Sequence, residues 1–85
     1  MTRLWSRGQQ IDVVQDEQGI PTAFTWQGQR HGVVELTQQW HVDVGWWRDH
    51  AWRAYYKLST NTGMLVVVYQ ELSDGGGWYL QRLYD

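Results

Sequence analysis

WWRDHAWRAYYKLSTNTGMLVVVYQE, from Trp46 to Glu71, decides how this chain is read. Trp52, Ala54, Tyr56 and Leu58 alternate with Arg53, Tyr55, Lys57 and Ser59, a period of two that turns one apolar row inward and a polar-aromatic row outward. Asn61-Thr62-Gly63 then supplies a turn. The almost unbroken apolar run from Met64 to Tyr69 fits a strand covered on both faces. Two strands and their hairpin are the expectation here.

Outward from this hairpin, turn signals divide the rest of the chain into further short strands. Residues 1–9 are polar around Leu4 and Trp5 and are expected to form a lead-in, ordered only in part, with Trp5 docked on the core. Residues 10–85 are expected to form a single β domain. Its first strand spans residues 10–16, with Ile11 and Val13 on one face, and Asp16 to Gly19 forms a turn. Pro21 opens the second strand, where its missing N–H costs least, and Phe24 and Trp26 share a face. Gln27-Gly28 marks a tight hairpin. A third strand follows over residues 30–40. Its apolar parity slips between Val33 and Leu36, which calls for a bulge near Val34 or Glu35. Residues 40–50 are the least regular, a long loop or a loop with a short helical turn over residues 45–49. The glycines at 75–77 lead into a last strand over residues 78–84. The fold expected is all-β: a curled antiparallel sheet or SH3-like barrel of five to six strands, since curling or closure protects sheet edges.

Composition narrows the chemistry. The 85 residues suit one domain with a small core, helped by seven Trp, five Tyr and one Phe. There is no cysteine, which excludes disulfides, zinc–thiolate sites and thiol catalysis. The polar start carries no signal-peptide pattern, and no apolar run approaches the ~20 residues that span a bilayer. A cytoplasmic protein without membrane contact is expected. The formal net charge is −2, with the seven basic residues spread along the chain. That disfavours nucleic-acid binding by bulk charge.

No catalytic motif stands out. The serines and threonines lie in no nucleophile elbow, and the glycines at 75–77 are followed by no Lys or helix, so they make no phosphate loop. His41, Asp43, Asp49 and His50 are the right donor types for zinc but form no HxH or HxxxH pair, so turn-capping and solvated roles are expected instead. Neither metal nor cofactor is expected. The suggestive constellation is Trp46, Trp47 and Arg48 beside Arg53, Tyr55 and Lys57. Rings and cations together make a platform for stacking and cation–π contacts.

Pro21 to Val33 (PTAFTWQGQRHGV), Trp40, the Trp46-Trp47 pair, Arg53 to Leu58 (RAYYKL) and the ending Gly77 to Asp85 (GWYLQRLYD) resemble a small bacterial domain of unknown function that occurs as stand-alone proteins. The likeness runs from about Gln10 to Asp85. The module is also similar to the carboxyl end of ImuB-type proteins, non-catalytic relatives of Y-family polymerases in mutagenic DNA repair. That resemblance implies a DNA-repair or polymerase-associated setting. The function expected is a non-enzymatic interaction module that binds a protein partner through Trp46, Trp47, Arg48, Arg53, Tyr55 and Lys57. The alternatives are single-stranded nucleic-acid binding on the same surface, or a small metal-dependent or hydrolytic enzyme.

Overall fold

The computed structural model describes residues 2–43, 52–72 and 76–84. Its elements are β1 (Arg3–Gln15), β2 (Pro21–Trp26), β3 (Gln29–Asp43), β4 (Trp52–Thr60), β5 (Leu65–Glu71) and β6 (Trp78–Tyr84). Each strand pairs antiparallel with its neighbour in sequence, and β6 returns to β1 to close the barrel. No helix of the described residues is long and apolar enough to cross a membrane.

The turns form where their residues suit them. Asp16 Oδ1 accepts from the amides of Gln18 and Ile20, and Gly19 takes φ 82°. Gln27 and Gly28 both have positive φ, as a two-residue hairpin requires. The Asn61–Gly63 turn is tied back to β3: Asn61 N–H donates to the Gly32 carbonyl, and Gly32 N–H donates to Asn61 Oδ1.

The barrel interior is apolar and aromatic. Ile11, Phe24, Trp26, Ala54, Tyr56, Leu58, Val66, Val68, Trp78, Leu80 and Leu83 form it, with Trp5, Val33 and Leu36 packed against it. Inward parity on β3 holds across His31, Val33 and Leu36 because the register slips between Val33 and Glu35. The expected bulge is there. On β6 a similar slip around Gln81 lets both Leu80 and Leu83 face inward.

Two expectations need correction. The presumed lead-in is strand: β1 begins at Arg3, which pairs with Leu83, and Trp5 packs edge-on against Trp26 at 5.8 Å. Pairing with β6, from the far end of the sequence, holds these polar residues in the sheet, a contact no local pattern announces. Trp52, assigned to the inward row, is 46% exposed. Its parity is inward, but Ala54 already lies level with Gln70, Trp78 and Ile11, the last layer of the barrel at that end. Trp52 stands past the rim.

Candidate functional site

β5 is covered twice, as its apolar run implies. Val66 and Val68 face the barrel interior, while Val67 and Tyr69 belong to a second cluster on the outer face with Tyr55. Trp40, Val42, Tyr79 and Tyr84 pack against that cluster and are half-buried.

Register builds the outer cluster. Trp40 pairs with Tyr55, Tyr55 with Tyr69, and Tyr69 with Tyr79, so a ring ladder crosses β3, β4, β5 and β6. Trp40 and Tyr55 stack almost parallel, 5.3 Å apart at 6°; Tyr55–Tyr69 and Tyr69–Tyr79 follow at 5.2 Å each. Such cross-strand ring pairs are the favoured sheet contacts, each worth up to about 1 kcal/mol. A second slip on β3, between Leu36 and Gln38, aims Trp40 and Val42 outward. Without it both would share the inward parity of Leu36.

Two charged groups border the ladder on each side. Arg53 Nε donates to Glu71 Oε2 at 2.8 Å, and its guanidinium lies 4.6 Å from the Tyr69 ring centre. Burial works against the Arg53 charge, but bonds to Tyr55 and Glu71 outweigh it and hold its pKa above the ordinary value. Burial also pushes the Tyr69 hydroxyl up, against the pull of Arg53. On the other side, Lys57 and Arg82 both approach the ring of Tyr84.

The expected site residues divide accordingly. Trp46, Trp47 and Arg48 lie outside the described residues. Arg53, Tyr55 and Lys57 do share the outer face, but Tyr55 is only 7% exposed and Tyr69 2%. The middle of the ladder is therefore a second small core, and the accessible part is its rim: Trp40, Tyr79, Tyr84, Lys57 and Arg82. Trp40, Tyr69 and Tyr79 escaped the sequence reading as site residues. Trp40 is turned outward only by the slip on β3, and the alignment of all three rings depends on register between strands.

Other chemistry has little footing among the described residues. No three His, Asp or Glu gather to hold a metal. His41 is exposed on β3, and Asp49 and His50 lie outside the described residues. His31 is buried, stacked on Phe24 at 5.1 Å, with Nδ1 2.7 Å from Thr62 Oγ1; burial lowers its pKa. A polar groove of about 330 Å³ lies where β1 parts from the β2–β3 hairpin, between Gln9, Asp12, Trp26 and Gly28. Trp26 Nε1 already donates to Gln9 Oε1 there, at 3.0 Å.

Fold and face together define a small closed antiparallel barrel with an aromatic second layer on its outside. Residues 4–85 match the family described as Domain of unknown function (DUF6504), and the chain belongs to that family. No curated protein matches the chain, and no solved structure does.

Proposed function

We propose that this chain is a non-enzymatic interaction module that binds a protein partner on the outer face of β3–β6, in a DNA-repair or polymerase-associated setting. The observation that carries the reading is the ring ladder itself. The interior is filled by other rings, yet Trp40, Tyr55, Tyr69 and Tyr79 line up outside on four adjacent strands. Rings at the rim of such a layer supply large apolar contact with little side-chain entropy to lose, as protein interfaces favour. Further exposed apolar surface stands apart from this face, past the barrel rim, where Leu72 N–H donates to the Trp52 carbonyl and both residues are 46% exposed. The DNA-repair setting rests on the resemblance to the ImuB carboxyl module.

Single-stranded nucleic acid is the competing reading, because Lys57 and Arg82 stand at the Tyr84 ring, which packs against the same outer cluster. Site-specific photocrosslinking separates the two. A benzophenone side chain at Trp40 or Tyr79 should give a discrete protein adduct in extract of the source cell, and one at Thr22, on β2, should not. Adducts of equal yield at all three positions, or adducts only to nucleic acid, would sink the protein-binding reading.

A further inference from the structure

Lys57 and Arg82 stand in one row across the outer face: Lys57 pairs with Val67, and Val67 pairs with Arg82. Two strand spacings separate their backbones by about 10 Å. Their side chains converge on Tyr84. Lys57 Nζ is 5.2 Å and the Arg82 guanidinium carbon 5.7 Å from its ring centre, and Arg82 Nη1 donates to Tyr84 Oη at 3.0 Å.

Arg53 has its carboxylate in Glu71, whereas no carboxylate of the described residues pairs with Lys57 or Arg82. A ring face attracts cations but does not neutralise them. Two positive groups drawn to one ring repel each other, and an anion between them relieves that repulsion. The Tyr84 oxygen accepts from Arg82, so its own proton remains for donation to such an anion.

We propose that Lys57, Arg82 and the Tyr84 hydroxyl form an anion site for a carboxylate on an acidic segment of the protein partner. The inference rests on the protein-binding reading above. Row composition favours a carboxylate over a phosphate chain. Gln38 precedes Lys57 and Leu4 follows Arg82, so the cations do not continue into the stripe that tracks successive phosphates. Leu4 is 58% exposed beside Arg82, which suits a partner segment with an apolar residue next to its acid.

Side-chain NMR of the intact chain tests this with three probes: a blocked hexapeptide alternating Glu and Leu, its Gln–Leu counterpart, and a single-stranded oligothymidine. The Glu peptide should move the Lys57, Arg82 and Tyr84 signals, and the Gln peptide should not. The K57Q/R82Q double variant should bind the Glu peptide about tenfold more weakly or worse, as expected for lost charge-assisted bonds. K57R should keep most of the binding. If the double variant unfolds, Tyr84→Phe serves instead, since it keeps the ring and loses the donor.

Equal shifts with the Glu and Gln peptides, or unchanged affinity in the variants, would overturn the anion site. If those shifts fall on Trp40 and Tyr79, the protein-binding face survives alone. Oligothymidine binding more tightly than the peptide, and weakening steeply with salt, would overturn both readings. So would silence from all three probes together with no position-specific crosslink.

Discussion

At Gly8 the backbone takes φ 72°, and a methyl group there would stand 2.7 Å from both Tyr69 Oη and Tyr79 Cβ. Tyr79 Cβ is fixed by its own strand and has no slack. Gly28 has nearly the same φ, 75°, but nothing within 4 Å. The pair separates conformational strain from contact. Gly28→Ala should cost about 1 kcal/mol, for left-handed strain alone. Gly8→Ala should cost about 2–4 kcal/mol, because overpacking adds to that strain. Urea unfolding of the two variants measures the difference. Equal costs would mean that β1 gives way and that Gly8 does not hold the outer layer closed over Tyr69.

Strands β3 and β4 show how an element's faces are set by its partners. Along β4, alternation places Ala54, Tyr56 and Leu58 inside and Tyr55 outside, and the two clusters form on those sides. Depth is a separate matter: Trp52 obeys the alternation but stands beyond the last core layer. Phe24, 1% exposed and stacked on His31, is its opposite. Phe24→Ala should therefore cost about 3–5 kcal/mol, as for a fully buried ring. Trp52→Ala should cost only about 1–2 kcal/mol, since half of its surface never leaves water. Chemical denaturation gives the order, and a costlier Trp52→Ala would place that ring under a cover of its own. On β3, the slips at Val33/Glu35 and Leu36/Gln38 change parity twice, so one strand serves the interior first and the outer ladder afterwards.

For the whole molecule, closure brings distant pieces into one equilibrium with solvent. His31 sits against Phe24 and Thr62, joining the β2–β3 hairpin to the β4–β5 turn inside the barrel wall. Thr62 Oγ1 lies 2.9 Å from Thr60 Oγ1, and Met64 N–H donates to Thr60 Oγ1, so the turn is fastened on both sides. Burial lowers the His31 pKa below the 6.5 of an unfolded chain. As pH falls through 6.5 the unfolded state takes the proton first. This contribution to stability is thus complete above that value and is lost progressively as pH drops through the folded-state pKa. The urea midpoint should fall between about pH 8 and about pH 5, and His31→Phe should flatten that fall. The same slope in His31→Phe would assign the pH dependence to other groups.

Strand positions and turn chemistry were legible in the sequence because their causes are local. Period-two alternation marked β4, Pro21 marked the start of β2, and Gly28 and Gly63 marked hairpins through the positive φ that glycine adopts without strain. The first bulge of β3 was legible too, from an apolar spacing of three between Val33 and Leu36. Tertiary structure decided which strand begins at Arg3, how deep Trp52 lies, and that Trp40, Tyr55, Tyr69 and Tyr79 align. It also brought Lys57 and Arg82 to one ring. These features depend on register between strands, and a slip of one residue sends a side chain to the other face. Alternation along a strand tells which residues share a side. Only the paired neighbours decide which side it is and what stands next to it.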